Sequence, residues 1–411
     1  ADVLITEIGG TIGDYEGTHF VEAIRQMQHD VGKDNVLYVH VGFLPYLGAS
    51  EELKARPIQF SVHDLQTMGI QPDILICRSD HPVAKKMLEK IALFTGIDRE
   101  AVIPLETVDS IYKVPMILKK FKLHEIVSEK LKIKVKKGNG KDWQAFIKKI
   151  NDKPTKTIKI ALVGKYMGMK DTYFSVTEAL KVAAIYNKIK IQIDWVDAEE
   201  IEKQSSEKIL QGFSGIIVPG GFGSRGIEGK IAAIKYAREH RIPFMGLCYG
   251  LQLATIEFAR HVCKMDKANT TEIDPQTPYP IVYIMPEQEK LLEGKNYGAT
   301  MRLGAYPCKL VENTKAAIAY NKKVISERHR HRYEINNKYL DELKAKGLII
   351  SGTSPNGKLV EIIELPSTSL GTGQNHPFFV ATQFHPELKS RPLDPHPLFI
   401  EFIKAAIKSF R

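Results

Sequence analysis

The sequence predicts an α/β protein of two units, each organised around a parallel sheet. Short apolar runs alternate with longer stretches of helical periodicity, which is the pattern of successive βαβ units. A lysine-rich stretch punctuated by glycine and proline separates the two series.

In the first unit, residues 1–122, Val3-Leu4-Ile5, Val36-Leu37-Tyr38-Val39 and Ile74-Leu75-Ile76-Cys77 read as buried strands. Thr18–Val31 and Pro82–Phe94 read as helices. Residues 123–156 carry many lysines, among them Lys134, Lys136, Lys137, Lys148 and Lys149, with breaks at Gly138-Asn139-Gly140 and Asp152-Lys153-Pro154. That composition predicts a solvated linker rather than a nucleic-acid surface.

The second unit spans residues 157–411. Ile158–Val163, the alternating series Ile189, Ile191, Ile193 and Trp195, Ile216–Val218 and Pro243–Leu247 are predicted strands. Thr172–Asn187, Ile227–His240, Tyr249–Val262 and Leu398–Phe410 are predicted helices. Leu359–Ile363 and Phe378–Phe384 predict antiparallel or mixed additions to the sheet.

Bulk composition narrows the class. The 411 residues carry a formal charge of +10, with 43% hydrophobic and 26% charged residues. These values exclude a disordered chain, and no apolar run is long enough to span a bilayer. The expected location is the cytoplasm. Basic excess suits bound nucleoside triphosphates as well as nucleic acid. The four cysteines, Cys77, Cys248, Cys263 and Cys308, form no CxxC pair, so neither a zinc site nor a disulfide framework is predicted.

Cys248 is different in its setting. Gly246-Leu247-Cys248-Tyr249-Gly250 joins a predicted strand to a predicted helix. A residue at such a turn projects above the carboxyl edge of a parallel sheet, and flanking glycines let the backbone turn without collision. The nearby helix N-terminus favours a thiolate, and the N–H following the nucleophile can face a developing oxyanion.

A thiol nucleophile needs a base, and the base needs an orienting carboxylate. Gln383-Phe384-His385-Pro386-Glu387 supplies both, because residues two apart in extended chain share a side. Pro219-Gly220-Gly221-Phe222-Gly223, at another strand end, offers backbone N–H groups for an oxyanion hole. Its glycines do not fit the dinucleotide pattern GxGxxG.

PGGFG, GLCYGLQ and QFHPE in this order resemble the class I triad glutamine amidotransferases. Further runs resemble the CTP synthases: ERHRHRYE at Glu327–Glu334, Arg225–Gly229, Met301–Gly304, EIGGTIGDYE at Glu7–Glu16, Glu22–Met27, Gly69–Asp80 and Val108–Pro115. The resemblance covers essentially the whole chain. It implies part of a P-loop-type synthetase (amidoligase) domain followed by a flavodoxin-like amidotransferase domain.

What the resemblance implies for chemistry is specific. Cys248, His385 and Glu387 would hydrolyse glutamine through a γ-glutamyl thioester. Gly221, Tyr249, Gly250, Leu251, Gln252, Glu272 and Arg332 would bind that glutamine, Arg332 clamping the α-carboxylate and Glu272 meeting the α-ammonium. Asp14, Tyr15 and Glu16 would contact UTP or the feedback inhibitor CTP, together with Lys54, Ala55, Arg56, Pro57, Ile58, Gln59 and Lys90. Glu106, Thr107 and Val108 would touch ATP, and Glu7 would ligate Mg2+. Phe222 and Arg225 lie where the activator GTP would act. A metal site at His329 and His331 is not expected, because interleaved arginines would repel a cation. The family's homotetramer is implied for a chain carrying its N-terminal part.

The family opens with a glycine-rich phosphate-binding segment, and no GxxxxGK[ST] occurs here. The expectation is therefore an N-terminally truncated chain that keeps only the glutaminase half. A free-standing glutaminase and a non-catalytic nucleotide-binding or assembly subunit are the alternatives. Smaller departures are Tyr249 and Leu251, where the family suggests leucine and methionine, and a loop insertion at Pro366–Gln374.

Overall fold

The computed structural model describes residues 2–134, 138, 140–165, 170–284, 301–366 and 376–409. The chain divides into two compact units, Ala1–Ile147 and Lys148–Arg411.

In the first unit, β1 (Val39–Phe43) is followed by the short hairpin of β2 (Tyr46–Leu47) and β3 (Glu52–Leu53), then by β4 (Ile74–Ser79) and β5 (Val102–Glu106). β1, β4 and β5 form a parallel sheet in that order. The helices α1 (Tyr15–Val31), α2 (Arg56–Thr67) and α3 (Lys85–Thr95) accompany them, and Ile58, Val62, Leu88 and Ile91 close the core over Leu75 and Ile103.

Two predicted strands are corrected. Val3, Leu4 and Ile5 are 51%, 85% and 90% exposed and lie in irregular chain. Among the described residues no strand pairs with them, so their backbone lacks the ladder a strand needs. The strand predicted to open at Val36 instead opens at Val39. Just before it, the Tyr38 N–H donates to the Asp73 carboxylate and the Tyr38 carbonyl accepts from the Asp73 N–H, each at 2.9 Å.

After α4 (Val114–Lys120), the predicted lysine linker is helical over much of its length, in α5 (Leu123–Lys130) and α6 (Lys141–Asn151). Leu123, Ile126 and Val127 recur at helical spacing and pack on the first unit's core while His124 and Glu125 between them stay exposed. Trp143 donates to the Tyr112 carbonyl at 2.9 Å, and Phe146 is fully buried against the Tyr112 ring. Lys136, Lys137 and Asn139 lie outside the described residues.

The second unit contains β6 (Thr157–Gly164), α7 (Phe174–Tyr186), β7 (Lys190–Asp197), α8 (Ala198–Lys203), α9 (Ser206–Leu210), β8 (Gly215–Val218), α10 (Ile227–Glu239), β9 (Phe244–Leu247) and α11 (Tyr249–His261). There follow β10 (Ala268–Thr270), β11 (Tyr279–Ile284), β12 (Arg302–Leu310), β13 (Val324–His331), β14 (Tyr333–Ile335), β15 (Ile349–Thr353), β16 (Val360–Glu364), β17 (Phe379–Thr382) and a helix at Pro397–Ser409. Among the described residues a nine-stranded sheet runs β13-β12-β15-β16-β17-β9-β8-β6-β7.

Its parallel part, β7-β6-β8-β9-β17, has the doubly wound order expected of a flavodoxin-like domain. β16, β15, β12 and β13 extend it in antiparallel fashion. Alternate residues of β6 feed opposite cores. Ala161 and Val163 face α10 and α11, whereas Ile158, Ile160 and Leu162 face α7 and the C-terminal helix. Residues 367–374 of the expected loop insertion, and Phe410, lie outside the described residues. No helix among the described residues is long and apolar enough to cross a membrane.

Candidate active site

Cys248 stands between the end of β9 and the start of α11, with φ 52° and ψ −99°. Few non-glycine residues adopt such a conformation, and it recurs where a side chain must be held for function. Close packing fixes the turn. A Cβ on Gly250 would lie 2.2 Å from the Val218 carbonyl oxygen, and one on Gly246 would lie 2.8 Å from the Ala381 Cβ. No larger residue fits either side of the thiol without moving backbone.

β17 runs parallel to β9, with Thr382 opposite Leu247. The Cys248 N–H donates to the Thr382 carbonyl at 2.7 Å. Three residues beyond Thr382, the His385 N–H donates to the Arg328 carbonyl of β13 at 2.8 Å. His385 Nδ1 is 2.7 Å from Glu387 Oε1, and Glu387 sits in the single 3-10 turn Pro386–Leu388. His385 Nε2 is buried without a conventional hydrogen-bond partner among the described residues. A Cβ on Gly220 would lie 2.9 Å from the His385 ring and 3.7 Å from the Cys248 Cβ. The three motifs separated in sequence thus meet at the carboxyl ends of β8, β9 and β17.

Electrostatics at the imidazole are one-sided. Burial alone would depress its pKa, but the Cys248 sulfur and the Glu387 carboxylate outweigh it and raise the value to about 11. The ring is therefore protonated at neutral pH. Burial pushes the thiols of Cys77 and Cys263 up to about 12 and about 11, and raises that of Cys308 as well. Such buried thiols are inert as nucleophiles.

The glutamine-binding candidates group around the same edge. Glu272 Oε1 accepts from the Gly223 N–H at 3.0 Å, and the Tyr249 hydroxyl donates to the Gly223 carbonyl at 3.0 Å. Burial raises the Tyr333 phenol, with Glu272 adding to the rise and Arg332 opposing it, so both charges lie within reach of that ring. Gly221 is half-buried. The Gln252 amide is buried and donates to the Tyr333 carbonyl at 3.1 Å. Leu251 is wholly buried, and Gly250 is wedged against β8, so neither can offer a side chain to a substrate. Phe222 is 67% exposed, while Arg225 reaches Glu199 at 3.0 Å and the Lys165 carbonyl at 2.9 Å.

Sequence reasoning missed two features. Lys230 is fully buried in α10, its Nζ has no hydrogen-bond partner among the described residues, and burial together with Lys165 lowers its pKa to about 8. It occupies the apolar stripe of Ile227, Ile231 and Ile234, which was the available signal. The second is a buried charge network behind His385. Arg302 bonds Glu361 at 2.8 Å and Glu334 at 3.2 Å, and His329 Nε2 bonds Glu361 at 2.7 Å. Along β13, Glu327, His329 and His331 point inward while Arg328 and Arg330 point out.

The first unit's candidates are more scattered. Glu7, Asp14, Tyr15 and Glu16 are exposed around the start of α1, where the Asp14 carboxylate accepts from the Thr11 N–H at 2.8 Å. Arg56, Pro57 and Lys90 are exposed, and Lys54 pairs with Glu52. Ala55 and Ile58 are core residues, and Gln59 is half-buried. Glu106 ends β5 and Thr107 and Val108 follow it, with the Thr107 hydroxyl donating to Asp80 at 2.6 Å. No group of three metal-ligating side chains occurs among the described residues. An exposed single carboxylate such as Glu7 fits Mg2+ only in the way that ion is often held, shared with substrate phosphates and water.

Residues 1–133 match the family model "CTP synthase N-terminus", and residues 169–405 match "Glutamine amidotransferase class-I". A CTP synthase of Moorella thermoacetica is 51% identical over 99% of this chain and 73% of its own length. One from Dehalococcoides mccartyi is 51% identical over all of this chain and 73% of its own. The solved glutaminase domain of a Trypanosoma brucei CTP synthase with bound acivicin is 39% identical, with a TM-score of 0.55 over 61% of this chain and 94% of that one. The chain thus spans about three-quarters of the length of these curated relatives, and both units find matches, so the expectation that only a glutaminase half remains is not borne out.

Proposed function

The chain belongs to the CTP synthase family, glutamine-dependent carbon–nitrogen ligases of pyrimidine biosynthesis, and on that premise we propose that its second unit releases ammonia from glutamine at Cys248 for the amination of UTP. The observation that carries the reading is the meeting of Cys248 and the His385–Glu387 pair at the ends of the adjacent strands β9 and β17.

The Cys248 sulfur, as the thiolate paired with the His385 imidazolium, attacks the γ-carboxamide carbon. The carbonyl oxygen takes up the displaced electron pair beside the backbone N–H groups of the Gly220–Gly221 loop and Tyr249. Collapse expels the amide nitrogen, which takes a proton from the His385 imidazolium and leaves as ammonia. Water, giving one proton to the neutral imidazole as its oxygen adds to the acyl carbon, then cleaves the thioester to glutamate, and the sulfur leaves as the thiolate beside the restored imidazolium. Glu387 holds the imidazole by Nδ1 throughout. Arg332 and Glu272 recognise the α-carboxylate and α-ammonium, with Glu272 exchanging the Gly223 N–H for the substrate.

In the first unit, ATP phosphorylates the 4-oxygen of UTP, and ammonia displaces that phosphate to give CTP. Glu106–Val108 serve ATP, while Asp14–Glu16, the Lys54–Gln59 segment and Lys90 serve UTP and the feedback inhibitor CTP. Mg2+ would neutralise phosphate charge there, with Glu7 offering a carboxylate. GTP acts as activator at Phe222 and Arg225. The working form is a cytoplasmic homotetramer.

The test is glutamine hydrolysis by the full chain with and without GTP, alongside CTP formation with ammonia supplied directly. Cys248→Ala is expected to lower hydrolysis by about a thousandfold or more while leaving ammonia-driven synthesis intact. Undiminished hydrolysis by that variant would sink the proposal.

A further inference from the structure

The residue following a thiol nucleophile at this kind of turn has one general duty, to present its N–H. Here its side chain is also engaged. Tyr249 is only 2% exposed, and its phenol crosses from the start of α11 to the glycine loop that follows β8. Its hydroxyl donates to the Gly223 carbonyl at 3.0 Å. Burial, reinforced by Glu272, raises the phenol's pKa, so the group stays a neutral donor.

The other end of Gly223 is also held, its N–H donating to Glu272 at 3.0 Å. With φ at +74°, Gly223 occupies a backbone region that glycine enters at no steric cost and leaves as readily. The ring supports the loop from below, lying 3.7 Å from the Cβ position of Gly221. Lys230 Nζ is 3.5 Å from that position and 5.4 Å from the ring centroid. A loop rich in glycine gains conformational freedom, and oxyanion donors work only when fixed to within about 0.5 Å.

We propose that the Tyr249 side chain is a positioning residue for the Gly220–Gly223 loop, its hydroxyl bond to Gly223 holding the loop's N–H groups over the Cys248 thiol. The inference rests on the glutaminase reading. Glu272 must serve the substrate ammonium during turnover, so Tyr249 is the tether that keeps Gly223 in place when glutamine is bound. The phenol hydroxyl is engaged by the Gly223 carbonyl, so the side chain acts through the loop.

The experiment compares the full chain with Tyr249→Phe and Cys248→Ala. Tyr249→Phe is expected to lower the glutaminase kcat about five- to tenfold, with KM changed less than about twofold. Alkylation of Cys248 by iodoacetamide, which needs no oxyanion donor, keeps its wild-type rate, and Tm stays within about 2 °C. A Tyr249→Phe kcat within twofold of wild type overturns the inference. So does a loss in which alkylation rate and Tm fall together with kcat, the mark of general damage. Wild-type turnover no faster than Cys248→Ala overturns the glutaminase reading itself and the inference with it.

Discussion

The Glu387 carboxylate stands 2.7 Å from Nδ1 of His385, and both side chains are largely buried. This contact, with the Cys248 sulfur beside the ring, keeps the imidazole protonated to about pH 11. A pKa raised above the unfolded value of about 6.5 contributes stability in full below pH 6.5 and loses it as pH rises through 11.

Glu387→Gln removes one source of that rise. The expected result is a glutaminase kcat lower by about ten- to a thousandfold, because the ring loses its oriented partner. The His385 titration should move down towards neutrality. Histidine NMR across pH 6 to 11 reads it directly, and an unmoved titration would show that Glu387 does not govern the ring.

Lys230 has the opposite sign. Its folded-state pKa, about 8, lies below the unfolded value near 10.5. Between those values the unfolded chain binds more protons, so stability rises with pH through that window, and below pH 8 the buried ammonium is at its most costly. Lys230→Met should stabilise the second unit at pH 7 by about 1 to 3 kcal/mol and flatten this rise. Urea unfolding at pH 7 and pH 9.5, followed through Trp195, measures both.

Arg302→Met tests the buried network behind the imidazole. It leaves Glu361 and Glu334 without their cation, and burial already raises the Glu334 pKa to about 8. Removing one partner of such a pair costs about 3 to 5 kcal/mol. A large drop in Tm is expected. Arg302→Met combined with Glu361→Met and Glu334→Leu should recover part of it, since well-packed apolar replacements remove the stranded charges.

Much of this was legible in residue order, for identifiable reasons. The elbow at Cys248 was readable because close packing demands glycine at 246 and 250, and glycine is visible in a sequence. The inner strands were readable because burial on both faces leaves continuous apolar runs such as Ile216–Val218. Val3–Ile5 misled because apolar composition cannot say whether a partner strand lies alongside. Residues 123–151 misled because many lysines masked the helical spacing of Leu123, Ile126, Val127, Trp143 and Phe146. Lys230 was hidden by its type, since lysine is seldom buried without a counter-charge. In the first unit, the burial of Ala55 and Ile58 could not be told from a motif that runs through exposed and core positions alike.

Thr382 and Leu247 occupy one rung of a parallel ladder. Neighbouring strands keep a separation near 4.8 Å whatever chain joins them. The gap between sulfur and imidazole is thus inherited from sheet geometry, and the long intervening sequence has no say in it. Evolution is accordingly free to lengthen, shorten or decorate that stretch, adding new surfaces for regulation while the chemistry keeps its spacing.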